Sequence, residues 1–205
     1  MHIRRLVGSA IAAGALALLT ACGGSDGATT ATHDMSTMPS SSAPATMPMS
    51  SRPAADFNDA DVMFAQMMIP HHQQAVEMAE LADSRASDQE VKDLAAKIKA
   101  AQGPEIQTMR GWLETWGKPM PSGGMNHGMP GIMSEQDMNK LEAAKGAAFD
   151  KQFVRLMTAH HKGAIEMART EQSQGANPQA KELAKTIESA QQAEVTQMKK
   201  ILDRL

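Results

Sequence analysis

A chain of 205 residues with 42% hydrophobic content can bury one or two ordinary cores without disulfide or metal staples. It has no Tyr, four Phe and two Trp against eighteen Met, so it is poor in the residues that strands favour and reads as all-α. Lys plus Arg number 20 and Asp plus Glu 23; the net charge of −3 excludes general nucleic-acid binding, and the single Cys excludes a disulfide framework or a Cys-rich zinc site.

At the start, Arg4 and Arg5 precede an apolar run from Leu6 to Leu19. This is a positive n-region and a signal-length h-region, too short to span a bilayer. The run ends in Leu19-Thr20-Ala21-Cys22, which resembles a bacterial lipobox. Residues 1–21 are therefore expected to be a lipoprotein signal peptide and Cys22 the lipidated residue; an ordinary secretory signal with a chance Cys is the plainer alternative. Residues 22–55 are rich in Ser, Thr, Ala, Gly and Pro and read as a flexible tether, because so little apolar surface cannot offset chain entropy. His33, Met35, Met38, Met47 and Met49 lie within it.

The remainder, residues 56–205, is organised by a repeat. Shifting the chain by 89 positions superimposes residues 61–116 on 150–205 without a gap, with nineteen identical pairs, too many for chance. Each half carries two helical patterns separated by a break and reads as an αα-hairpin: repeat one over 57–116, repeat two over 147–205. Ser87 or Asp88 can cap the second helix of the first half, with Glu90 completing a capping box from Ser87. In the second half Gly175, Asn177 and Pro178 mark the break, the N-cap and the first helical position. Pro70 interrupts the first helix where the second half has Ala159, and the ungapped repeat favours a kinked, continuous helix. Between the repeats, residues 117–146 read as a Gly/Pro loop followed by a short helix capped by Ser134. Two amphipathic hairpins hide their stripes against each other, so a ferritin-like four-helix bundle is expected.

At 100° per residue, Phe64, Met68, His71, Ala75, Met78, Ala79 and Ala82 form one apolar stripe, with His72 at its edge. Met157, His160, His161 and Met167 repeat it. Glu77 and Glu166 project away from it. On the returning helices Gln102 and Glu105, and Gln191 and Glu194, fall within the buried stripe, where a carboxylate is costly unless partnered. A hairpin reversing near residue 86 brings His71 and Met68 level with Gln102 and Glu105, and His160 and Met157 level with Gln191 and Glu194.

Imidazole and thioether donors together suit copper, Cu(I) above all, whereas calcium and magnesium want oxygen shells. Zinc on the four histidines would leave the thioethers unused. No Glu stands three residues before a His, which disfavours a di-iron carboxylate site, and His-Glu-x-x-His is absent. Expected ligands are His71, His72, His160 and His161 with Met68, Met78, Met157 and Met167; Gln102, Glu105, Gln191 and Glu194 stand behind them. Met120, Met125, His127, Met129 and Met133 form an auxiliary set on a loop expected to be exposed. A buried network that only fixes hairpin register is the alternative. A copper-dependent oxidase is a further reading, although no nucleophile–base or paired-carboxylate arrangement is evident.

The pattern Phe-x3-Met-x2-His-His-x2-Ala-x-Glu-Met-Ala, at Phe64–Ala79 and again at Phe153–Ala168, resembles the family called domain of unknown function 305. Met68–Gln73 and Gln102–Leu113 resemble its most recognisable stretches. The resemblance implies a ferritin-like helical bundle and kinship with CopM-like extracytoplasmic proteins that bind copper and support copper tolerance. The second half departs from the pattern at Thr158-Ala159, where the first has Ile69-Pro70, so the two halves are expected to differ in affinity. The expectation is thus a lipid-anchored, extracytoplasmic copper chelator. Its partners would be the metal ion, the membrane through Cys22 and a copper-exchange protein, with a homodimer left open.

Overall fold

The computed structural model describes residues 56–121 and 128–205. The signal peptide, Cys22, the tether, Met125 and His127 lie outside the described residues. Five helices follow in order: α1 (Asp59–Arg85), α2 (Gln89–Thr115), α3 (Glu135–Ala143), α4 (Ala147–Gln174) and α5 (Pro178–Arg204). Both hairpins and the short extra helix stand where the repeat and the loop composition put them. Among the described residues no helix is long and apolar enough to cross a membrane.

The helix starts are chemically marked. Asn58 caps α1 and shares a reciprocal capping box with Asp61, while Ser134 and Asn177 cap α3 and α5. At α2 the cap is Asp88, whose side chain accepts the amides of Glu90 and Val91. The capping box from Ser87 to Glu90 does not form, because Ser87 turns its hydroxyl to Asp150 instead. Pro70 lies inside a continuous α1, as the ungapped repeat requires.

α1 packs on α2 and α4 on α5, and the hairpins meet chiefly through α1 and α4. Two buried aspartates, repeat equivalents of each other, fasten the halves. Asp61 at the start of α1 accepts the amides of Ala176 and Asn177 in the α4–α5 turn. Asp150 at the start of α4 accepts the amides of Ser87 and Asp88 in the α1–α2 turn. Each hairpin thus satisfies the turn of the other, and α1 and α4 run antiparallel.

The apolar interior falls into two clusters. One gathers Met78, Ala82, Leu94, Ile98, Phe149, Phe153, Met157 and Met198; the other gathers Phe64, Met68, Met109, Leu113, Met167, Ala168 and Ile187. In every helix of the bundle, the residues between the clusters are the polar ones: His71 and His72, Gln102, His160 and His161, and Gln191. A polar layer therefore divides the bundle at mid-height.

The connecting loop crosses this layer. Gly131, with φ +76, lies so close to α4 that a Cβ there would stand 2.8 Å from the Ala159 carbonyl oxygen. A Cβ at Gly163 would overlap the carbonyl of Pro130. On the opposite side, Gln74 clamps the Met133 backbone, donating to its carbonyl at 3.0 Å and accepting its amide at 2.7 Å. Positions 74 and 163 are repeat equivalents. One reaches out to hold the loop and the other leaves room for it.

Candidate metal centre

All four doublet histidines are fully buried, His72 and His161 as completely as His71 and His160. The expected edge position of His72 is therefore corrected: α1 buries two faces, one against α4 and one against α2, and the doublet is split between them. The imidazoles of His71 and His160 face each other across the hairpin interface, with ring centroids 3.7 Å apart and planes tilted by 35°. His72 and His161 turn inward to their own hairpins. There His72 Nε2 lies 2.8 Å from Glu105 Oε2, and His161 Nε2 lies 2.6 Å from Glu194 Oε2. The two carboxylates thus meet the second histidine of each doublet, whereas helical depth alone sets them beside the first.

The layer is rich in unused donor atoms. Nδ1 of all four histidines and Nε2 of His160 have no hydrogen-bond partner, nor do the amide nitrogen and oxygen of Gln102 or the amide oxygen of Gln191. Buried polar atoms are ordinarily paired, and each one left alone costs about 1–3 kcal/mol. Each neutral imidazole keeps one nitrogen lone pair, so the four rings of this layer offer four, a set that fits a bound cation. Burial, followed by repulsion from the neighbouring imidazole of His72, pushes His71 down to about 3. Burial and the other imidazoles also hold His160 well below its ordinary value. Both rings are therefore neutral at pH 7, the form that ligates metal without first losing a proton.

Met68, Met78 and Met157 are fully buried and Met167 is 7% exposed. They do not share a single plane with the histidines of their own repeat. Met68 joins Met167 in one apolar cluster and Met78 joins Met157 in the other, so a thioether pair from opposite halves flanks the layer on each side. The antiparallel crossing of α1 and α4 makes this so, since residues before His71 on α1 meet residues after His160 on α4. Among the described residues no three His, Cys, Asp or Glu side chains converge into a metal-binding group. The layer itself presents imidazoles, with thioethers on either side and the Glu105 and Glu194 carboxylates behind His72 and His161.

Glu77 and Glu166 are exposed, as their helical phase predicts. The loop methionines are not uniformly exposed, however. Met120 is 46% exposed, but Met129 is buried and Met133 packs against an apolar cluster. The close approach of the loop to α4 buries them, and Gly and Pro content alone does not reveal such packing. Three contributors are not evident from sequence pattern. The Pro130 carbonyl, 3.1 Å from His71 Nε2, gives that ring a partner that His160 lacks. Gln74 and Gly163 position the loop, and their mismatch within the repeat is the one signal the sequence carries of it.

The family model for domain of unknown function DUF305 matches residues 61–202. The chain belongs to the DUF305 family. A DUF305 protein from Streptomyces coelicolor, described as a candidate secreted protein, is similar at 35% identity over 74% of this chain and 95% of that one, with a TM-score of 0.67. A DUF305 fragment from Deinococcus radiodurans is similar at 31% identity over 72% and 98% of the two chains, also with a TM-score of 0.67. CopM in its Cu(I)-bound form is similar at 33% identity over 70% of this chain and 96% of that one, with a TM-score of 0.61; Cu(II)-bound and Ag-bound forms of CopM are similar as well. No functionally curated protein matches the chain. The DUF305 match spans both histidine doublets and the loop between them.

Proposed function

We propose that this chain is an extracytoplasmic copper-binding protein, lipid-anchored through Cys22, that holds Cu(I) for copper homeostasis or tolerance. The observation that carries the reading is the mid-bundle layer: four buried imidazoles with five unpartnered ring nitrogens, flanked by two pairs of thioethers. The Cu(I)-bound and Ag-bound forms of CopM support a soft cation, and its Cu(II)-bound form supports copper in either oxidation state. His71, His72, His160 and His161 would hold the ion with help from Met68, Met78, Met157 and Met167. Glu105 and Glu194, by accepting from His72 and His161, fix ring orientation and raise ligand basicity, as carboxylates do behind metal-bound histidines. Thioethers select Cu(I) over zinc, and imidazole tolerates either copper oxidation state. The relative described as a candidate secreted protein supports an extracytoplasmic location.

The deciding experiment is metal analysis with competition titration of the mature protein, comparing wild type with a variant carrying Ala at His71, His72, His160 and His161. The wild type is expected to bind copper tightly under reducing conditions and the variant to lose that binding. Equal copper uptake by the two would refute the centre. The closed His72–Glu105 and His161–Glu194 contacts favour a second reading, a polar layer that only sets hairpin register. In that case His71→Ala with His160→Ala changes stability and leaves copper binding untouched. We read the protein as a binder rather than an enzyme; catalytic oxygen consumption with Cu(I) as substrate would make it an oxidase instead.

A further inference from the structure

One end of the bundle carries methionines that the histidine centre does not use. Met63 is 59% exposed on α1, although it lies on a helix whose neighbours offer abundant apolar cover. One turn later Met67 is partly buried. Together with Met167 they line a groove of about 400 Å³ between α1 and α4. Met129 of the loop lies in the adjoining hollow, again with Met63 and Met67.

The repeat supplies an internal comparison. The equivalents of Met63 and Met67 in the second half are Gln152 and Leu156. Leu at 156 and a polar residue at 152 satisfy the same bundle positions there, so packing alone does not require thioethers at 63 and 67. Met63 and Met67 lie at the end where Met129 of the loop adjoins them. Charge at the groove points the same way: Asp59 and Glu166 are exposed on its lining, and no basic residue lines it among the described residues. The groove also reaches inward, because Pro130, whose carbonyl contacts His71, forms part of its wall. Thioethers prefer soft cations, and carboxylates at the mouth concentrate positive ions.

We propose that Met63 and Met67 form a second, surface-accessible site for a soft monovalent cation, Cu(I) or its analogue Ag(I), from which the ion passes along the groove, by way of Met167 on its wall, to the buried histidine layer. The choice of ion rests on the copper reading above; the groove itself does not. The test is an Ag(I) titration of the full chain labelled at the methionine methyl carbons, followed by nuclear magnetic resonance and assigned with single Met→Leu variants. Saturable shifts of the Met63 and Met67 methyls are expected. Met63→Leu combined with Met67→Leu, a pair that keeps apolar volume, should bind one Ag(I) fewer and slow loading of the histidine layer about tenfold. Unmoved Met63 and Met67 methyls at saturation, or an unchanged Ag(I) count in the double variant, would overturn the site. Failure of the histidine centre shows separately, as an unchanged count in the four-alanine variant, and the Met63 and Met67 responses then still decide the groove by themselves.

Discussion

Glu171 gives the protein an alkaline weakness that can be worked out from its surroundings. It is 1% exposed on α4 and lies against Asp61, the aspartate that fastens the α4–α5 turn. Burial first, then the neighbouring Asp61 carboxylate, raise its pKa to about 8 against an opposing pull from Lys181. For Asp61 burial also works upward, but the Asn58 amide, Glu171 and the amides of Asn177 and Ala176 outweigh it and hold the group below its ordinary value. At neutral pH, therefore, Glu171 keeps its proton and Asp61 carries the charge. Between the unfolded value near 4.5 and the folded value near 8, the folded state binds more protons than the unfolded, so stability falls as pH rises. The gap corresponds to about 2–3 kcal/mol lost between pH 6 and pH 9. Glu171→Gln keeps a hydrogen-bonding side chain without the titration. Urea unfolding of the metal-free protein at several pH values should show wild type falling below this variant by that amount at pH 9, relative to pH 6. Because both proteins share the histidines, their acid-side titration cancels in the difference. Parallel stability curves for the two proteins would refute the reasoning.

Other outcomes follow from single contacts. Asp150→Ala removes the buried carboxylate that accepts the Ser87 and Asp88 amides and should cost about 1–3 kcal/mol in thermal or urea unfolding. Gly163→Ala places a methyl against the Pro130 carbonyl and should expel the loop, read as proteolytic cleavage near residues 128–133 and a loss of about 1–3 kcal/mol. Gly103→Ala, which meets nothing within 4 Å inside a helix, should instead stabilise by about 0.5–1 kcal/mol. Glu105→Gln and Glu194→Gln should each weaken copper binding about tenfold in a competition titration while the fold persists, because only the support of one imidazole changes.

The fold is legible in the sequence because the information lies in periodicity. A gap-free repeat, caps at Asp88, Ser134 and Asn177, and stripes ending in Gly or Pro breaks leave few arrangements other than two stacked hairpins. That the histidines are buried is legible for the same reason. How each doublet is shared is not. Helical phase gives the direction of a side chain but not which neighbouring helix lies there, so phase and depth set Glu105 beside His71 when α2 in fact faces His72. The thioether grouping is hidden likewise: residue spacing within one repeat cannot reveal that Met68 shares an apolar cluster with Met167 of the other repeat. Glu171 stays invisible because its repeat equivalent is Ala82, and a lone Glu on a helix reads as surface unless its buried partner is known.

The contact between His71 and His160 also explains where the two halves must match and where they are free to differ. In a two-fold arrangement, residues on the axis meet their own equivalents, so a facing pair of equivalent imidazoles puts the pseudo-two-fold axis between them. A change at either position alters both sides of the contact. One turn further along the helices, equivalent positions no longer touch. There a single loop crosses the axis, and one loop cannot obey a two-fold rotation. It needs a clamp on one side and clearance on the other, which Gln74 and Gly163 provide. The asymmetry reaches the centre itself, since the loop offers its Pro130 carbonyl to His71 and nothing comparable to His160. A duplicated hairpin thereby becomes a site with two unequal ends. Nδ1 is unpartnered in all four histidines, but in His160 alone among them neither ring nitrogen has a partner.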